Sequence, residues 1–253
     1  MTPMPGKVAV VTGGMRGLGY AIAEELTNNG ATVVITDIDK TGLDAAVAAL
    51  GSHASGAVAD VTDEASMNDV FKDVMVRHGR LDVVVANAGT GDSAPLGSIT
   101  ERQFDKIYGI NVKGVLFTIQ GALPHLGPNG SVVILGSTGS IQAQPSMSLY
   151  GGSKAALRAC VRGWIQEIKG TGVRINILSP GAVDTPSLRL AFAGAVGAEN
   201  VDERVKAMGE GNPLGRLVQP DEVAKAALFL ASEDSSGITG VELFVDGGVA
   251  QTG

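Results

Sequence analysis

The stretch Val8–Asn28, VAVVTGGMRGLGYAIAEELTN, opens with a short β-branched apolar run, breaks into glycines and continues with apolar residues at helical spacing. A strand that ends in such a turn and feeds a helix is the first unit of a parallel α/β sheet. Within it, Thr12-Gly13-Gly14-Met15-Arg16-Gly17-Leu18-Gly19 precedes a helix expected over Tyr20–Asn28. Gly13, Gly17 and Gly19 would let the backbone approach a diphosphate, whose charge the amides and dipole of the helix N-terminus would meet. Their spacing stretches the first gap of the common G-x-G-x-x-G pattern. Glycines also serve ordinary tight turns, so the position after the first strand is what gives the pattern its nucleotide reading.

Similar apolar runs recur at Thr32–Thr36, Ala57–Val61, Leu81–Ala86, Ser131–Leu135, Arg174–Leu178 and Val241–Val245, with helical patterns between them. Near-continuous apolar character implies strands buried on both faces, and the interleaved helices are the crossovers that parallel strands need. The expectation is an α/β fold, a Rossmann-like doubly wound sheet of about seven parallel strands with helices on both faces, forming a single domain over residues 1–253. Thr100 with Gln103 reads as a capping box, and Pro220 before Asp221-Glu222 suits a helix start. Residues 186–213 form the widest irregular stretch, punctuated by Gly194, Gly197, Gly209 and Gly211 with room for a short helix, and are expected to act as a substrate lid.

With 253 residues and 44% hydrophobic content, the chain can bury one large core. A net charge of -7 repels polyphosphate backbones, and no Lys/Arg cluster reverses it locally, so no nucleic-acid partner is expected. Cys160 alone excludes an internal disulfide, and His53, His78 and His125 show no metal-ligand spacing, so no metal is expected. The apolar run after Lys7 is short for a signal peptide, and nothing approaches a membrane span, which points to a cytoplasmic protein without a membrane partner. Leu157, Val161, Trp164, Ile165 and Ile168 form a helical stripe suited to core or subunit interface.

Candidate binding residues cluster at the carboxyl ends of the expected strands. Asp37, with Ile38 beside it, closes the second run where a carboxylate could accept from adenosine ribose hydroxyls and repel a 2′-phosphate; a helix cap is the bland alternative. Arg16 pulls the other way, since a guanidinium there could pair with that phosphate. Asp60-Val61 ends the third run and Asn87-Ala88-Gly89 the fourth; Asp60 could accept from an adenine amino group, and the small residues would let a cofactor pass. Ser137 follows the fifth run, while Tyr150 and Lys154, at i and i+4, share one face of the next helix. A tyrosine beside an ammonium and an oxidised nicotinamide is favoured as phenolate, so it can pass a proton, and Ser137 could hold a substrate oxygen.

These motifs, in this order and over nearly the whole chain, resemble the short-chain dehydrogenase/reductase family. The resemblance implies Tyr150 as proton donor or acceptor, Ser137 as the substrate-orienting hydroxyl, and Lys154 as the residue that holds the nicotinamide ribose and lowers the phenol's pKa. It implies that Asn111 supports a water-linked proton path, and that Pro180, Gly181, Val183 and Thr185 touch the nicotinamide carboxamide and diphosphate. Gly109 and Gly114 flank Asn111 and point to a local distortion of the helix or to close packing. Two departures are Ala86 before Asn87, where two asparagines are frequent, and Gly136 before Ser137, where two serines are frequent.

The expected activity is hydride transfer between NAD(H), with NADP less favoured, and a small secondary alcohol or ketone. Leu188, Leu190, Ala191 and Phe192 in the lid point to an apolar substrate. The alternatives are a 3-oxoacyl-thioester reductase acting on an acyl carrier protein, which would need basic residues around the cleft, and a noncatalytic dinucleotide-binding scaffold. The resemblance also implies a homotetramer.

Overall fold

The computed structural model describes residues 2–142 and 144–252. Strands β1 (Val8–Thr12), β2 (Thr32–Asp37), β3 (Ala54–Val58), β4 (Leu81–Ala86), β5 (Leu126–Leu135), β6 (Arg174–Pro180) and β7 (Glu242–Val245) pair in parallel in the order β3-β2-β1-β4-β5-β6-β7. Helices α1 (Gly17–Asn28), α2 (Lys40–Leu50), α3 (Glu64–His78), α4 (Glu101–Tyr108), α5 (Val115–Ala122), α6 (Ser148–Glu167), α7 (Pro186–Val196), α8 (Val201–Glu210) and α9 (Pro220–Ala231) make the connections. One core packs α1, α2 and α9 against the sheet, and a second packs α3, α5 and α6 against its other face. Strand order reverses between β1 and β4, so the crevice that such sheets offer to ligands opens beyond their carboxyl ends.

Strand burial follows position. β1 is buried throughout, whereas the edge strands β3 and β7 are partly exposed. That difference explains why the third strand lies at Ala54–Val58 rather than at Ala57–Val61: an edge strand does not need an apolar run. Ala59 and Val61 are still buried, but in the loop beyond, where Val61 packs against Gly114. Asp60 therefore stands two residues past the strand end. β6 continues to Pro180, and α1 begins at Gly17, three residues before the expected start. The stripe on α6 belongs to the core: Leu157, Val161 and Ile168 are buried, and Trp164 and Ile165 pack on them.

Residues 186–213 are not mainly irregular; they hold α7 and α8. Thr185 caps α7 by accepting from Leu188 N at 3.2 Å. Arg189 on α7 donates to Asp184 at 2.6 and 2.9 Å and to Asp202 of α8 at 2.8 Å, which clamps the two helices to the end of β6. Leu190 is exposed, and Phe192 lies beneath the Arg204 guanidinium, 5.5 Å from the ring centroid. The side chain of Ala191 lies outside the described residues.

At the other end of β6, Arg174 is buried with its guanidinium donating to Leu230 O at 3.0 Å, Ser232 O at 3.0 Å and Ser235 Oγ at 2.7 Å. The cation thus terminates α9, whose last carbonyls and dipole favour it. Burial pulls its pKa down, yet a guanidinium stays charged. Among the described residues, no helix is long and apolar enough to cross a membrane.

Candidate active site

The turn after β1 is shaped by contacts that side chains would block. Gly13 and Gly17 have φ of +64° and +59°, where L-residues are strained. A Cβ on Gly13 would stand 2.9 Å from the Cα of Ala88, and one on Gly19 would overlap the Gly13 carbonyl oxygen. Asn87 Nδ2 donates to the carbonyls of Thr12 and Gly13 at 2.9 and 3.0 Å, and the buried Thr12 hydroxyl accepts from the amides of Asn87 and Ala88, each at 3.1 Å. β1 and β4 are thereby tied at the crevice, with a bare backbone turn facing the N-terminus of α1. Leu18 packs into the core and Arg16 is exposed. Thr12 was missed in sequence; its only signal is a hydroxyl at the end of a strand.

Asp37 ends β2 half-buried, accepting from Ile38 N at 2.8 Å, and Ile38 is exposed beside it. Asp60 is exposed and makes a local turn: its carboxylate accepts from Thr62 N and Thr62 Oγ1, both at 2.8 Å. At the far side, a Cβ on Gly181 would stand 2.7 Å from the Cβ of Asp246, so that residue must be small. Pro180 ends β6, Val183 bridges Val218, and Thr185 opens α7.

Ser137, Tyr150 and Lys154 come together. Ser137 begins a short turn over Thr138–Ser140, where its hydroxyl accepts from Gly139 N at 3.1 Å. Tyr150, in the first turn of α6, comes beside Ser137: a Cβ on Gly139 would stand 3.3 Å from Ser137 Oγ and 3.4 Å from the Tyr150 ring, whose other edge lies 3.5 Å from where a Cβ on Gly91 would be. Gly151 permits the approach, since its Cβ would lie 2.7 Å from Gly139 O. Lys154 Nζ is 6.0 Å from the Tyr150 ring centroid and donates to Leu135 O at 2.7 Å.

In the free protein, burial pushes the Tyr150 phenol above its ordinary pKa, with Ser137 pulling partly the other way. Burial also pulls the Lys154 ammonium down to about 8. Both groups resist charge because both are buried.

Asn111 lies in a π-helical turn, Gly109–Gly114, between α4 and α5, which is the distortion that the flanking glycines imply. Its side chain is fully buried and fully used: Thr90 N donates to Oδ1 at 2.8 Å, and Nδ2 donates to Thr90 O and Ser153 Oγ, both at 2.9 Å. Ser153, which the sequence reading missed, passes the link on to the Tyr150 carbonyl at 2.7 Å. A serine three residues after the tyrosine on the same helix face was the available signal. Gly89 lies over this corner, with Asn111 Oδ1 and Lys154 Nζ 3.4 and 3.5 Å from where its Cβ would be.

The family model described as enoyl-(acyl carrier protein) reductase matches residues 13–250. Oxidoreductase asL5 of Sarocladium schorii is 42% identical over 98% of this chain and 97% of its own length. The 3-oxoacyl-(acyl-carrier-protein) reductase FabG of Thermotoga maritima is 34% identical over 97% of this chain and 98% of its own. Among solved structures, the ligand-free aldohexose dehydrogenase of Thermoplasma acidophilum matches with a TM-score of 0.92 at 27% identity, over 100% of this chain and 97% of that one.

Proposed function

The chain belongs to the short-chain dehydrogenase/reductase family of oxidoreductases, and from that premise we propose that it moves a hydride between NAD(H) and a secondary alcohol or ketone, with Tyr150 as acid/base. The observation that carries the reading is the Tyr150 ring and the Ser137 hydroxyl meeting against Gly139, with the Lys154 ammonium buried beside that ring.

The bare turn at Gly13, Gly17 and Gly19 fits a dinucleotide diphosphate, because a Cβ would fill the cradle or strain it. A bound nicotinamide supplies or accepts the hydride. In reduction, Tyr150 gives its proton to the ketone oxygen, while Ser137 fixes that oxygen with a second hydrogen bond. Lys154, held by Leu135 O, sits where it can reach a ribose and stabilise the phenolate left behind. Asn111 fastens the loop after β4 to α6 beside Lys154, fixing the walls of a proton route to solvent. Asp60, Val61, Asn87, Ala88 and Gly89 line the adenosine side of the crevice in this reading, and Pro180, Gly181, Val183 and Thr185 the nicotinamide side. Asp37 favours NAD over NADP, since a 2′-phosphate would meet its carboxylate. The working form is a cytoplasmic homotetramer of one dinucleotide-binding domain per chain.

The Thermotoga relative's name keeps a 3-oxoacyl-thioester substrate in view. Against it stand the lid's arginines, since Arg189 is taken up by Asp184 and Asp202 and Arg204 by the Phe192 face, leaving an acidic carrier little to grip. Reduction of diacetyl, a cyclic diketone and a 3-oxoacyl thioester with NADH and with NADPH, followed by nicotinamide absorbance, tests both readings. Turnover of a small ketone with higher kcat/KM for NADH is expected. A preference for NADPH would overturn the reading of Asp37, and turnover of the thioester alone would overturn the choice of substrate.

A further inference from the structure

β7 is a four-residue edge strand, yet it carries a carboxylate into the interior behind the Ser137 turn. The Glu242 side chain is 10% exposed and is paired with Arg158 through Oε2. Its other oxygen accepts from Ser179 Oγ at 2.7 Å and from Ser140 Oγ at 3.0 Å. A carboxylate so placed is costly unless its partners are fixed, and here they come from three elements.

Each partner bears on the candidate site. Ser140 is the last residue of the turn that Ser137 begins, and Ser140 N also donates to Ser137 O at 3.0 Å, so the turn moves as one piece. Arg158 lies on α6 about two turns beyond Tyr150 and one beyond Lys154. Ser179 fills the space under Gly136, where a Cβ would overlap its hydroxyl and stand 2.6 Å from Ile177 Cγ2. The Gly136 that departs from the frequent serine pair thus makes room for this network.

We propose that Glu242 is a positioning residue: its carboxylate holds the Ser137 turn and helix α6 at a fixed separation, and so sets the distance between the Ser137 and Tyr150 hydroxyls. The inference rests on the roles assigned to Ser137 and Tyr150 above. Glu242 touches neither hydroxyl and acts through Ser140 and Arg158.

The test uses the whole protein with NADH and the ketone of the panel above that it reduces fastest. In Glu242→Leu, kcat should fall about 10²-fold, the size of effect that a displaced reacting group produces. NADH affinity by calorimetry should hold, because the cofactor contacts lie elsewhere. Glu242→Gln keeps an oxygen for both serines but turns a donor towards Arg158, and should recover part of the rate. Ser140→Ala leaves Arg158 paired and should lower kcat in the same direction by less. Wild-type kcat in Ser140→Ala and in any folded Glu242→Leu would overturn the proposal, as would a rate loss that Gln does not rescue and that NADH affinity shares. If Glu242→Leu does not fold, Ser140→Ala and Glu242→Gln decide by the same criteria. If the wild type reduces no ketone, the functional reading fails by itself, and amide exchange decides. Faster exchange at Gly139 and Ser140 in Ser140→Ala then supports the positioning role, and unchanged exchange overturns it.

Discussion

Tyr150 and Lys154 are each held away from their charged forms in the free protein, one by a raised and the other by a lowered pKa. In the proposed reaction, a positive nicotinamide ring would favour the phenolate that burial disfavours. Alcohol oxidation at saturating NAD should rise with pH, with an apparent pKa below that of Tyr150 in the free protein, measured as the absorbance titration that Tyr150→Phe removes. Equal values would mean that Tyr150 is not the titrating group. Tyr150→Phe should lower kcat about 10²–10⁴-fold, the usual contribution of a general acid or base, while NADH still binds. Lys154 carries a stability consequence too. Its folded pKa of about 8 lies below the ordinary 10.5, so the unfolded chain binds the extra proton between these values, and stability rises with pH through that window. Below pH 8 the burial costs about 3 kcal/mol, the equivalent of that shift. Lys154→Met should thus unfold at higher urea than wild type at pH 7, with the advantage fading towards pH 10.5, even as rate and cofactor affinity fall. A variant no more stable at pH 7 would contradict this. The spacing of Tyr150 and Lys154 was legible in sequence; the direction of the phenol's shift was not, because desolvation comes from everything packed around the site.

Glycines that look alike in sequence act differently once placed on elements. Gly109 and Gly114 bound the π-helical turn that presents Asn111, but a Cβ on Gly109, at helical φ, meets nothing within 4 Å, whereas one on Gly114 would stand 2.7 Å from Val61 Cγ2. Gly109→Ala should raise the urea midpoint, by up to about 1 kcal/mol of helix propensity. Gly114→Ala should lower it and, by moving the Asn111 turn, slow catalysis; equal effects from the two would show that the turn tolerates either. The glycine pair announced a distortion because glycine is costly in a helix. The limits of β3 were not announced, because an edge strand is specified by pairing with β2 rather than by an apolar run. The helices α7 and α8 were hidden for a related reason: glycines read as loop, while Thr185, Arg189 and Asp202 order the segment through contacts distant in sequence.

Across the whole molecule, the parallel seven-strand sheet and its crevice followed from the alternation of strands and helices, since a parallel sheet with helical crossovers leaves few arrangements, while the order of the strands came only with the structure. The α7–α8 segment is the part proposed to close over the substrate. With NADH and a reducible ketone's alcohol product bound, amide exchange over residues 186–213 should slow relative to the free protein, as expected of a lid that excludes water. Unchanged exchange there would mean that the segment is a fixed wall. The seat of Arg174 bears on how the chain can be made and cut. The acceptors of its guanidinium lie 56, 58 and 61 residues further along. During synthesis, all three candidate groups, Ser137, Tyr150 and Lys154, leave the ribosome while that cation still lacks its seat. A chain cut before Leu230 would strand it without any of these acceptors. A fragment can therefore carry every residue of the candidate site and still leave a buried cation without its seat.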